Sequence, residues 1–275
     1  MQTILQLTDA HLSPRNDLFR GNIARIHDLA MATPPDLTVA SGDLSLDGAD
    51  HEADMAFAAE ELGRFPGLIL ALPGNHDTGS HPHTMPRQPF DATRLTRFQQ
   101  YLGAGYGLHD LPGWRVIGLN SEVMGTGHPE DDAQARFIIE ALKGAEARRL
   151  AVFLHKPIFI THPDDPVFDY WSVPPHARNT LVPLLEHPGL RLVASGHLHL
   201  HHEFKRDAVS FVWAPPLSFV VEEEEQQGLP GARRCGALLH HLHEDHVETV
   251  LLEPDGMEVP YLGPIRHLTY PRATS

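Results

Sequence analysis

Residues Leu72–Asp77 read L-P-G-N-H-D, and the rest of the chain is best read outward from them. A short apolar run, Leu68–Leu72, stops at Pro73 and Gly74, residues that end a strand and turn the chain sharply. The turn presents Asn75 and His76 at the strand's carboxyl end, where open α/β sheets place their chemistry. Asn75 brings a neutral oxygen suited to a hard or borderline cation, and His76 an imidazole that can give and take a proton. Four other short strings, each closing an expected strand, bring further metal-ligand residue types.

Upstream, residues 2–8 read as a buried strand ending at Asp9-Ala10-His11. Arg20 to Met31 carries Ile23, Ile26, Leu29 and Ala30 at helical spacing, stopped by Pro34-Pro35. Leu37–Ser41 is a short strand leading to Gly42-Asp43, and Asp50 to Leu62 an amphipathic helix. This β-α-β-α-β order, with a ligand-type residue closing each strand, follows doubly wound α/β logic.

Downstream, residues 78–89 form a proline-rich rim loop whose His81 and His83 are not counted as ligands. Asp91 to Leu102 reads as a helix and Trp114–Leu119 as a strand. Asp131 to Leu142 is a further helix, with Asp131-Asp132 where a first turn favours negative charge. Leu150–Leu154 is a strand ending in His155, and Leu190–Ser195 one ending in Gly196-His197-Leu198-His199. Between them lies an insertion, residues 155–190 at its widest, long enough to be a lid; its aromatic pair Tyr170-Trp171 is expected to form a lid or a dimer contact. Val209–Ala214, Gly236–Leu242 and Val247–Leu252 are expected to close a second sheet as hairpin strands. From Glu253 onward an irregular tail is expected, so residues 1–260 form one domain and 261–275 a carboxyl-terminal tail.

At 275 residues with 41% apolar content, the chain can bury a sizeable core. No segment approaches the roughly 20 apolar residues of a membrane span, and the opening residues lack the pattern of a secretory leader. With a single cysteine, Cys235, read as a packed residue, a cytoplasmic location is expected. The formal net charge of −15 argues against gripping duplex nucleic acid, though not against a small anion beside bound cations. A homo-oligomer is left open. Glu222 to Glu225 read as a solvated loop, and His240, His241, His243 and His246 as surface histidines.

Asp9, His11, Asp43, Asn75, His155, His197 and His199 all stand at strand ends. If those ends share one sheet edge, the seven side chains can converge on two metal ions, with Asp43 the natural bridge. Two dications about 4 Å apart can clamp a phosphoryl oxygen and lower the pKa of a bridging water, giving a hydroxide that attacks phosphorus. Two carboxylates leave that centre positive enough for an anionic substrate. His76, beside Asn75 yet not needed as a ligand, is the candidate general acid. Asp77 either orients it or holds the turn.

D-A-H (9–11), G-D (42–43), G-N-H-D (74–77), His155 and G-H-L-H (196–199) resemble, in order, the five blocks of the calcineurin-like metallophosphoesterases. The resemblance spans roughly residues 3–201. It implies a four-layer α/β/β/α sandwich with two mixed sheets flanked by helices. It also implies a binuclear centre in which Asp9, His11 and His199 hold one metal, Asn75, His155 and His197 the other, and Asp43 bridges. His76 matches the family's substrate-contacting histidine. Within the family, Q-L-T-D-A-H-L and the compact length are similar to bacterial class III cyclic-nucleotide and glycerophosphodiester phosphodiesterases, although Lys156 stands where that branch often has a second histidine.

The expected activity is metal-dependent hydrolysis of a small phosphodiester, with iron, manganese, zinc or cobalt as the metals. A phosphomonoesterase would use the same ligands and want extra cationic groups, for which Arg87, Arg115 and Arg178 are candidates. A non-catalytic scaffold would lack part of the ligand set, and here the set is complete.

Overall fold

In the computed structural model, which describes residues 2–270, the amino-terminal third follows the expected alternation. Strands β1 (Gln2–Leu7), β2 (Leu37–Ser41) and β3 (Ile69–Leu72) lie side by side and parallel. Helices α1 (Arg20–Ala32) and α2 (Glu52–Leu62) make the crossovers. Every residue of β2 is buried, as in strands covered on both faces. The motif turn continues into a single helical turn, α3 (Asn75–Thr78). Asp91 then caps α4 (Ala92–Leu102) by accepting the Arg94 N–H.

The chain then lays down β4 (Gly107–Leu111), β5 (Trp114–Gly118), α5 (Pro129–Leu142), β6 (Arg149–Phe153), α6 (Val182–Leu185), β7 (Leu190–Ser195), β8 (His202–Arg206) and β9 (Val209–Trp213). It closes with β10 (Ala237–Leu242), β11 (Val247–Leu252) and α7 (Leu262–Thr269). One sheet runs β11-β10-β1-β2-β3 and the other β4-β5-β6-β7-β9-β8. Both are mixed: β10 is antiparallel to β1, and β4 and β8 are antiparallel edges on a parallel centre.

Four layers result. Ile4, Val39 and Leu72 of the first sheet meet Val116, Phe153 and Leu192 of the second in a central apolar cluster. The first sheet's other face packs Leu5 and Leu7 against Ile23, Ile26 and Met55 of α1 and α2. The second packs Val152 and Val193 against Ile138 of α5 and against Leu181 and Leu184 near α6. The fold is therefore α/β/β/α, with both sheets flanked by helices.

Three expectations are corrected. The last strands do not all close the second sheet: β9 joins it, but β10 and β11 return to the first, beside β1. The stretch after Glu253 is not irregular throughout, because α7 forms within it; residues 271–275 of the expected tail lie outside the described residues. Nor is His240 a surface group. It is fully buried between the sheets, where Nε2 donates to Gln6 Oε1 (3.0 Å) and Nδ1 accepts from Thr249 Oγ1 (2.9 Å). Gln6 Nε2 in turn donates to Ser41 Oγ and, across the sandwich, to the Ser195 carbonyl.

Burial pushes the His240 pKa down to about 3 from an ordinary 6.5. The unfolded chain takes up a proton here as pH falls below 6.5, the folded chain only near 3. This histidine's contribution is therefore complete above pH 6.5 and lost on acidification. His240→Gln is expected to remove about 1.4 kcal/mol per pH unit of acid sensitivity between those limits. Urea denaturation at pH 7 and pH 5 checks it, and an unchanged pH slope would refute it.

Candidate metal centre

The carboxyl ends of β1, β2, β3, β6 and β7 meet along one edge of the sandwich, and the loops leaving them are stitched together. Asp9 N–H donates to Gly42 O, His11 N–H to Asp43 O, and Gly196 N–H to His155 O. Asp9, His11, Asp43, His197 and His199 all have left-handed backbones, with φ between 47° and 69°. Only Asp207 shares that conformation among the other described non-glycine residues. Such torsions cost on the order of 1 kcal/mol or more each and cluster at functional sites. They turn each side chain back over its strand end. Two motif glycines make room: a Cβ on Gly42 would enter the His155 ring, and one on Gly196 would meet Thr8 and Asp9.

The side chains form three overlapping groups: Asp9 with His11 and His199, His11 with Asp43 and His76, and Asp43 with His155 and His197. Within each, the candidate ligand atoms lie within 4.8 Å of one another, and every residue is buried. Asp43 belongs to two groups. Its Oδ2 stands 3.4 Å from His155 Nε2 and 3.8 Å from His11 Nε2, while Oδ1 accepts the His76 N–H at 2.8 Å. Asn75, fully buried at the end of β3, completes the seven.

Backbone carbonyls fix which nitrogen faces inward. Ser41 O takes His155 Nδ1 (2.9 Å) and Leu46 O takes His76 Nδ1 (2.6 Å), so both rings aim Nε2 inward. Phe219 O does the same for His199, whereas Tyr170 O engages His197 Nε2 at 3.0 Å and leaves Nδ1 for the centre. Asp9 Oδ2 is held by Thr8 Oγ1 and the His197 N–H.

Several inward atoms are buried without a hydrogen-bond partner: Asp9 Oδ1, both side-chain polar atoms of Asn75, and Nε2 of His76 and His155. Each such atom costs about 1–3 kcal/mol when left unpaired. Of these, Asp9 Oδ1, the Asn75 oxygen and the His155 ring nitrogen, the last once it gives up its proton, are donors that fit divalent cations. Electrostatics agree. Burial alone would lower His155, but the Asp43 carboxylate outweighs it and pushes the imidazole up to about 10. Burial would raise Asp9 and Asp43, yet the neighbouring histidines hold both below the usual carboxylate range. The field that keeps a proton on His155 is one that attracts a cation.

Asp77 does not orient His76. Its carboxylate accepts from Leu44 N, Ser45 N, Ser45 Oγ and Gly74 N, tying the β2 loop to the motif turn. Arg115 is committed to Asp110 and to carbonyls at the end of α5. Arg178 donates to carbonyls and Ser172 within the insertion. Arg87 lines a cavity beside His76. Cys235 is packed, its thiol pushed up to about 12 by burial.

Other side chains surround the centre, of which Ser80, Glu122 and Tyr270 escaped sequence reading. Lys156 is buried, with Nζ 2.7 Å from Ser80 Oγ, 3.4 Å from Glu122 Oε2 and 4.9 Å from the Tyr170 ring centre. Ser80 and Glu122 follow motif or strand residues but carry no pattern that marks them. Tyr170 and Trp171 pack on His197, with ring centres 4.7 and 6.1 Å from it. Tyr270 reaches His76 from the far end of the chain.

The profile of the calcineurin-like phosphoesterases matches residues 2–201, a stretch holding all seven side chains and His76. The chain belongs to that family. Calcineurin-like phosphoesterases use divalent metals, and the clustered histidines and aspartates can hold them. A Synechococcus protein described as a probable cyclic nucleotide phosphodiesterase is 26% identical over 92% of this chain and 89% of its own length. Among solved structures, GAP50, the anchor in the inner membrane complex of Plasmodium, superposes with a TM-score of 0.64 at 15% identity, covering 94% of this chain and 86% of that one. A dimetal phosphatase from Danio rerio gives 0.58 at 13% identity, over 92% and 99%. These likenesses show the sandwich. No helix among the described residues is long and apolar enough to cross a membrane.

Proposed function

We propose that this calcineurin-like phosphoesterase hydrolyses small phosphodiesters with two divalent cations. Asp9, His11 and His199 would hold one cation, Asn75, His155 and His197 the other, and Asp43 both. The observation that carries the reading is Asp43, shared between two ligand groups whose remaining inward atoms lack hydrogen-bond partners. Cations held there supply Lewis acidity toward a phosphoryl oxygen and lower the pKa of a water between them. His76 would protonate the departing alkoxide from Nε2, a role supported by the contact of Nδ1 with Leu46 O, which turns Nε2 inward. Asp9 and Asp43, anchored by Thr8, the His197 N–H and the His76 N–H, hold the ligand geometry.

A diester is favoured because Arg115 and Arg178 are engaged away from the cluster and the cavity beside His76 has apolar walls in Leu46, Met85 and Pro86. The described Synechococcus relative points the same way. Arg87 on that cavity favours the second reading, a phosphomonoesterase. The test is a panel run on protein reconstituted with iron, manganese, zinc or cobalt, comparing cyclic nucleotides, glycerophosphodiesters, generic diesters and monoesters. Diesters are expected to turn over with the higher kcat/KM. Faster monoester turnover would replace the reading, and inactivity on every ester would leave a scaffold.

A further inference from the structure

The carboxyl-terminal helix α7 is fastened beside the centre by several independent contacts. Leu262 N–H donates to Val220 O and Gly263 N–H to Glu222 Oε1, while Arg266 pairs with Glu225. The acidic run expected to be merely solvated thus anchors a helix. Leu262 also packs with Phe19, Phe219 and Val221. The last described residue of this segment, Tyr270, is thereby delivered edge-on to His76, with ring centres 5.1 Å apart at 66°. Phe219 stands 6.4 Å from it between ring centres and itself lies against His11 and His199.

Tyr270 and His76 both line one cavity of about 370 Å3, whose remaining apolar walls are Leu46, Met85 and Pro86. That volume sits near the small end of the roughly 300–1,000 Å3 range of ligand pockets. On the phosphodiesterase reading, a group leaving phosphorus beside His76 borders this cavity. There it meets an aromatic wall, a methionine and a proline, which suit a flat ring, with Asp47, Thr84, Arg87 and Gln88 as the polar part of the lining.

We propose that Tyr270 is a specificity-determining residue of the site: its ring walls the leaving-group cavity, selects diesters with a flat leaving group and holds His76 in place. This rests on the phosphodiesterase reading for its substrate half, while the Tyr270–His76 contact stands apart from it.

The experiment compares wild type, Tyr270→Ala, Tyr270→Phe and Arg266→Ala on two diesters matched in leaving-group pKa, methyl phenyl phosphate and methyl hexafluoroisopropyl phosphate, so that any loss of proton donation by His76 falls on both alike. Tyr270→Ala is expected to lower the aryl-to-alkyl ratio of kcat/KM about tenfold, the worth of one aromatic contact. Tyr270→Phe should keep the ratio, and Arg266→Ala, which loosens α7 without touching the cavity, should lower it partway. Equal losses on both substrates, or no change in ratio, would overturn the proposal. A second readout uses metal-free protein: the His76 ring resonance should shift in Tyr270→Ala and not in Tyr270→Phe, and an unmoved resonance overturns the contact. Wild type inactive on both diesters would sink the phosphodiesterase reading and the substrate half with it, leaving the resonance to decide the contact.

Discussion

Asp43→Ala is expected to strip the protein of metal and of activity together. Asp43 Oδ2 lies between His155 and His11, so one truncation removes a donor from two ligand groups. It also frees the His76 N–H that Oδ1 accepts. Without that carboxylate, the main attraction that pushes His155 up to about 10 is gone, and only Asp9 and Glu122 are left to oppose burial. Residues that merely support metal ligands are worth roughly 10–100-fold in affinity or activity. A shared ligand should cost at least about a hundredfold. Metal content after desalting, measured by mass spectrometry beside kcat/KM, checks this, and circular dichroism shows whether the fold is kept. A folded variant that retains two metal equivalents would contradict the bridging assignment.

His76→Ala should separate binding from chemistry. The side chain is not needed to complete either ligand set, its Nδ1 is occupied by Leu46 O, and its Nε2 is buried without a partner. Metal content is therefore expected to stay near wild type while kcat drops about 10²–10⁴-fold, the ordinary worth of a positioned proton donor. The loss should grow with the pKa of the departing alcohol, because a good leaving group needs no proton. A graded series of aryl and alkyl diesters reads this dependence. The same loss on every member would remove the acid role and leave His76 as a substrate contact.

What could be read from the sequence follows from where the information lies. Strands β1, β2 and β3 and the ligand residues behind them are local: a buried run, a break, then a ligand. Edge strands β4 and β8 were missed because G-L-H-D-L and H-E-F-K-R alternate between half-buried and exposed positions, as edges facing water do. The sheet to which β10 and β11 belong is a long-range pairing that no window reveals. Helix α7 was obscured by Gly263 and Pro264, which read as breakers, yet Pro264 lies in the first turn, where its missing N–H is tolerated. The same distance hid Tyr270, whose place beside His76 is set by α7 and not by any neighbour in sequence. Asp77 looked like a partner for His76 because it adjoins it; its four hydrogen bonds point instead to the turn.

The pairing of β1 with β10 bears on how the molecule is made. β1 carries Asp9 and His11 at its end, and its antiparallel neighbour spans Ala237–Leu242, with Gln2 opposite Leu242. At about 5–20 residues per second of synthesis, that first strand waits tens of seconds with one side unsatisfied. That side of β1 stays open until β10 has been made, so the nascent chain displays a sticky margin through the interval. Early chaperone capture of the nascent chain is the expected biosynthetic cost of setting Asp9 and His11 behind a strand whose partner is made so late.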